Sequence, residues 1–171
     1  SIASTSIPEQ RFYELLNNYK DAVDFSKMVI EIIESEEVDL DALSIKQRLA
    51  TEINAQIAID DFGSGYATES WLLQVNPNFV KIDMALIRDI DKDMERQSIV
   101  ENILKYTKER KIKVICEGVE THQEMKKLIN MGADFIQGFY LAKPDFEIKD
   151  ISREKKREIQ VLNVLKGGQS F

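Results

Sequence analysis

The chain has 171 residues, 43% of them hydrophobic and 31% charged, with a net charge of −7; that is enough for one domain with a sizeable core, and such acidity argues against a polymeric nucleic-acid surface, which needs a basic stripe. Cys116 is the one cysteine and His122 the one histidine, so an internal disulfide and a histidine-rich zinc site are excluded, a reducing cytoplasm is the default setting, and any metal must be held mainly by oxygen donors, as Mg²⁺ and Mn²⁺ are. No apolar run approaches the ~20 residues of a membrane span, and no signal-peptide pattern opens the sequence.

In chain order, Pro8 to Tyr19 predicts a helix, with Phe12, Leu15, Leu16 and Tyr19 at helical spacing. Met28 to Ile33 predicts a strand, and Leu40 to Ile53 a second helix. A strand over Ala55 to Ile59 runs into Asp60-Asp61-Phe62-Gly63-Ser64-Gly65-Tyr66, and a short helix follows over Thr68 to Gln74. Phe79 to Ile82 predicts a third strand, Glu95 to Arg110 a helix, and Lys113 to Cys116 a fourth strand. Thr121 to Met131 is a helix opened by a capping box, Thr121 with Glu124, and closed before Gly132. Asp134 to Gln137 predicts a fifth strand. Glu147 to Leu165 is charged but amphipathic and predicts a last helix, with a loose tail after it. The apolar runs are near-continuous rather than alternating, as in parallel strands covered on both faces, and strand–helix alternation marks βα units.

Polar residues cluster where these strands end. Glu31 interrupts the first, Asp60 and Asp61 end the second, Lys81 and Asp83 flank Ile82, Glu117 ends the fourth, and Gln137 the fifth. Two adjacent acids at a strand exit repel each other unless something positive lies between them. In a βα barrel all strand C-termini share one face, where active sites are built. Carboxylates converging there with a lysine suit a pair of divalent ions, which can clamp an in-line displacement at phosphorus. Plainer readings stand beside this one. Asp60-Asp61 could be a helix N-cap pair, Glu31 a satisfied buried acid, Lys81 a partner for Asp83, and Gln137 a polar filler of a barrel. Cys116 reads as an inert buried thiol, His122 as solvent-exposed, and Trp71 and Leu72 as core or interface.

The segments Glu31-Ile32-Ile33-Glu34, Asp60 to Tyr66, Lys81-Ile82-Asp83, Glu117-Gly118-Val119-Glu120-Thr121, Gln137-Gly138-Phe139 and Lys143-Pro144 resemble those of the EAL-domain cyclic di-GMP phosphodiesterases of bacteria. They occur in that family's order and spacing: 20 residues from Asp61 to Lys81, 36 more to Glu117 and 20 more to Gln137. The resemblance implies an α/β fold, part of a TIM-type (β/α) barrel of about five βα units. It implies metal-dependent hydrolysis of cyclic di-GMP to linear pGpG. Glu31 and Asp60 would bind one Mg²⁺ or Mn²⁺, and Asp60, Asp61 and Glu117 the other. Lys81, Asp61 and Glu117 are the implied catalytic residues, Lys81 orienting the attacking water, and Gln137 would line the substrate site. Glu34 would anchor the loop after Asp61, with Phe62, Gly63 and Gly65 in that loop, and Glu120 would support the Glu117 turn. The loop would link dimerisation to metal binding, and cyclic di-GMP, a second copy of the chain and upstream sensor or GGDEF domains are the implied partners.

The sequence departs from the family at Gly65-Tyr66-Ala67-Thr68, where Gly-Tyr-Ser-Ser is more usual, and at Ile33, where threonine is usual. The Glu-Ala-Leu motif and a metal-binding asparagine belong, by the resemblance, upstream of Ser1. Residues 1–146 are therefore expected to be the C-terminal portion of the domain, 147–171 a helix and tail, and the fragment weak or inactive alone. The alternative is a degenerate module that binds cyclic di-GMP or a protein without catalysis. An unrelated phosphate enzyme finds no Walker or dinucleotide pattern to support it.

Overall fold

The computed structural model describes residues 2–3, 9–19, 21–33, 40–63, 69–147 and 150–167. The chain packs as two compact units, Ser1–Lys81 and Ile82–Phe171.

The first unit is built on parallel strands in sequence order: β1 (Ile2–Ala3), β2 (Val29–Ile33), β3 (Gln56–Phe62) and β4 (Phe79–Ile82), whose last residue, Ile82, already belongs to the second unit. Its helices are α1 (Glu9–Tyr19), α2 (Leu40–Glu52) and α3 (Glu69–Val75), with a single 3₁₀ turn at Phe25–Lys27 capped by Asp24. The short β1 was not expected from the sequence. It pairs Ile2 with Ile30 and Ala3 with Glu31. In β3, Ile57, Ala58 and Ile59 are all buried, as a strand covered on both faces requires. β2 and β4 differ from that expectation: Ile30, Ile32, Val80 and Ile82 are buried, while Glu31 and Lys81 sit half-buried on the alternate positions. A two-residue period places a polar group beside apolar neighbours without breaking the core face. Leu43, Leu49, Ala50, Trp71 and Leu72 are also buried, so Trp71 and Leu72 are core residues as anticipated.

The second unit contains α4 (Met84–Ile87), α5 (Met94–Glu109), β5 (Lys113–Cys116), α6 (His122–Met131), β6 (Phe135–Ile136) and α7 (Arg153–Gly167). β5 and β6 are parallel, with Ile115 beside Phe135. Their core joins Ile82, Ile87, Ile90, Val100, Val114, Val119, Met125 and Leu128, all fully buried. Four helices start on a side chain that accepts from the first turn: Asp83 for α4, Asp93 for α5, Thr121 for α6 and Ser152 for α7. Each satisfies N–H groups that have no partner within the helix. The capping box at Thr121 and Glu124 is formed on both sides, and Gly132 ends α6 at φ 102°. α7 begins at Arg153, later than the amphipathic pattern suggested, and docks through Leu162. Among the described residues no helix is long and apolar enough to cross a membrane.

Candidate active site

In the first unit, the β2–β3 register sets Glu31 beside Ala58 and Ile33 beside Asp60. Partners in a parallel pair share a face, as do residues two apart on one strand, so Glu31 and Asp60 rise from the same side. The Lys81 ammonium stands between them, 3.2 Å from Glu31 Oε1 and 2.7 Å from Asp60 Oδ1, and the three side chains are only 12–15% exposed. One cation thus compensates two acids taken largely out of water, leaving the cluster one negative charge in excess. Poor solvation makes that excess attractive to a further cation.

Asp60 Oδ1 also accepts the N–H of Asp61 at 3.1 Å. Asp61 has φ 54°, a left-handed conformation inside a strand. Asp tolerates this region better than most residues, yet it costs of order 1 kcal/mol or more and persists where surrounding structure imposes it, commonly at functional sites. Asp60 and Asp61 interrupt the buried run of β3: both are half-buried, and Phe62 is buried again. Gly63 follows at φ 98°, where glycine is favoured. Glu34 and Gly65 lie outside the described residues.

Two plainer readings do not survive. Asp60 and Asp61 lie within β3, and α3 begins only at Glu69, so the pair does not cap it. Asp83 caps α4, accepting from the Ala85 N–H at 2.7 Å, while Lys81 is engaged with Glu31 and Asp60.

In the second unit, Glu117 follows β5 and its N–H donates to the Ile82 carbonyl at 3.1 Å. Gly118 has φ 70°, and a Cβ there would lie 2.4 Å from Met84 Cβ. A Cβ on Gly138 would lie 2.1 Å from the Val119 carbonyl oxygen. Both glycines are therefore demanded by close packing. Between them the Val119 N–H donates to the Gln137 carbonyl at 3.1 Å and the Val119 carbonyl accepts from Tyr140 at 3.0 Å. Gln137 lines a cavity of about 530 Å³ with Met84, Glu120, Phe139 and Lys143, of the size that takes a small molecule. Glu120 accepts from Arg88 Nη2 at 2.7 Å, and the pair is bidentate. The Arg88 hydrogen bond holds the Glu120 carboxyl below the usual carboxylate range.

Cys116 is fully buried, and burial, helped by the charge of Asp134, pushes its thiol up to about 12. It is inert, as the sequence suggested, and cannot act as a thiolate ligand. The His122 side chain is 41% exposed, and its Nδ1 pairs with Glu158 of α7, 36 positions along the chain, a partner the sequence did not indicate. Two residues beside the motifs escaped sequence reasoning. Arg88 gave no signal. Glu124 signalled itself only as half of the capping box, yet its carboxylate is buried and binds beyond its own helix. The donors around Lys81 are carboxylate oxygens, and the chemistry of that set fits a hard divalent cation such as Mg²⁺, Mn²⁺ or Ca²⁺.

Residues 1–144 match the model of the EAL domain family. The chain is 31% identical over 153 residues to the cyclic di-GMP phosphodiesterase PdeF of Escherichia coli K12, covering 84% of this chain and 20% of that protein. It spans about a fifth of the length of the curated relatives it matches first. Among solved structures, a standalone EAL protein from Vibrio cholerae O395 bound to cyclic di-GMP superposes with a TM-score of 0.74 at 35% identity, over 86% of this chain and 62% of that one. Klebsiella pneumoniae BlrP1 in complex with manganese and cyclic di-GMP gives 0.73 at 29% identity, over 81% of this chain and 36% of that one. These neighbours confirm the expected fold class, an α/β chain with part of a TIM-type barrel.

Proposed function

The chain belongs to the EAL domain family, and from that premise we propose that it carries much of a divalent-metal-dependent centre that opens one phosphodiester of cyclic di-GMP to give linear pGpG. The observation that carries the reading is the Lys81 ammonium shared by Glu31 and Asp60 on one strand face, directly before the left-handed Asp61.

Glu31 and Asp60 would hold one metal, and Asp60, Asp61 and Glu117 the other. Bound divalent ions supply charge stabilisation at the phosphoryl oxygens and make water more acidic. Lys81, already held by two carboxylates, would orient the attacking water through an N–H donor, and its positive charge would oppose the negative charge building at phosphorus. Gln137, on the wall of its cavity, would donate and accept hydrogen bonds with the nucleotide. Homodimerisation, attachment to sensor or GGDEF domains and a cytoplasmic location belong to the same proposal, supported by family membership.

The test is hydrolysis by the full-length protein with Mg²⁺ or Mn²⁺, followed by chromatography of the nucleotides. Conversion to pGpG that stops on adding EDTA is the expected result, with the 171-residue chain slower than the full-length protein. Cyclic di-GMP bound in Ca²⁺ but left intact in Mn²⁺ would establish a binding module instead.

A further inference from the structure

A glutamate at the third position of a capping box needs only one oxygen to close the box. Glu124 Oε2 does this, accepting from Thr121 N–H at 3.0 Å, and takes Glu120 N–H as well at 2.9 Å. Its other oxygen, Oε1, accepts the N–H of Asp89 at 2.9 Å, 35 residues earlier in the chain. That bond serves no helix end of α6. It ties the Glu117–Thr121 turn to the loop after α4. Asp89 itself has φ 56°, a conformation that needs holding. Glu124 is 1% exposed. Burial works against its charge, and the three backbone N–H donors more than offset this, leaving the carboxyl below its usual range. Arg88, next to Asp89, grips Glu120 from the same loop. On the other side of the turn, Val119 is pinned by Gln137 and Tyr140. The segment carrying Glu117 is thus fixed from both sides, and Glu124 is the buried member of one clamp.

We propose that Glu124 is a positioning residue for Glu117: its two carboxylate oxygens lock the Glu117–Thr121 turn to the loop at Asp89, and so set where the Glu117 carboxylate stands. This rests on the reading of Glu117 as a metal ligand. Partners that orient ligands typically alter metal affinity by about 10- to 100-fold when removed.

The experiment compares wild type, Glu124→Gln and Thr121→Ala in the full-length protein. Glutamine keeps the shape and the capping box, but it has one acceptor oxygen and cannot serve both Asp89 and the Glu120–Thr121 pair. Thr121→Ala weakens the α6 cap and leaves the Oε1 bond to Asp89 intact. Mn²⁺ affinity is read by calorimetry, and amide exchange by mass spectrometry of peptides covering the turn and the Asp89 loop. The expected result is about tenfold weaker Mn²⁺ binding in Glu124→Gln, persisting at high salt, with faster exchange in both peptides, and Mn²⁺ binding within about twofold of wild type in Thr121→Ala. Wild-type affinity and exchange in Glu124→Gln would overturn the proposal. So would an equal loss in Thr121→Ala, which would reduce Glu124 to a helix cap, or a loss abolished by salt, which would reduce it to a charge effect. Failure of the metal reading shows differently: wild type itself takes up no Mn²⁺, and the exchange data alone then decide whether Glu124 fixes the turn.

Discussion

Two groups of half-buried or buried acids, one in each unit, are satisfied in opposite ways. Glu31 and Asp60 in the first unit share a side-chain ammonium, with a single backbone N–H added at Asp60. Glu124 in the second faces three backbone N–H groups. Backbone donors are fixed by the fold, so an acid bound to them is committed to structure and its exchange for another partner means local unfolding. An ammonium on a four-carbon stem moves by rotation about single bonds, so the acids around it remain able to take another cation or to steer a proton. The contrast teaches that burial alone does not mark a chemical group. The kind of partner does.

Breaking each side of this comparison gives effects of decreasing size. Lys81→Met removes the shared cation. If the cluster is chemical, pGpG formation by the full-length protein falls by about 10²-fold or more, in the range that positioned proton-transfer and electrostatic groups contribute; unchanged turnover would make the triad a structural ion pair. Glu124→Ala empties a buried site and leaves three backbone N–H groups without their acceptor. Urea unfolding should show a loss of about 3 kcal/mol, larger than an exposed acid could cause.

Acid sharpens the difference further. The Glu124 carboxyl is held below its ordinary value of 4.5, so its contribution is present in full above that value and is lost as pH falls through the folded one. The stability gap between wild type and Glu124→Gln should therefore be constant from neutral pH to about pH 5 and narrow below it. A gap that widens in acid would mean the shift has the opposite sign. The smallest effect is expected on the surface. His122→Ala breaks the pair with Glu158, and the melting temperature should move by no more than about two degrees, as for most exposed pairs.

Much of the framework is legible in the chain itself. β4 and β5 occupy the expected residues, because Phe79-Val80-Lys81-Ile82 and Lys113-Val114-Ile115-Cys116 are short apolar runs between turns. The capping box of α6 is legible because its two partners are three residues apart. Local signals failed where only a few residues were involved. α4 is a single turn hung on Asp83, and β1 is two residues long, too short for any periodicity to register. They also failed at long range: the His122–Glu158 pair, the Arg88–Glu120 pair and the Oε1 bond of Glu124 to Asp89 join positions 32 to 36 apart.

The sequence by itself determined which residues are acids and cations, their order, and that they stand at the ends of parallel strands, because spacing, apolar runs and caps are properties of neighbouring residues. Tertiary structure alone decided what each charge meets. Strand register brought Lys81 to Glu31 and Asp60 rather than to Asp83, and loop packing delivered the Asp89 N–H to a carboxylate that the sequence shows only as a helix cap. A charge takes its role from the partner within about 3 Å, and for these groups that partner comes from a distant part of the chain.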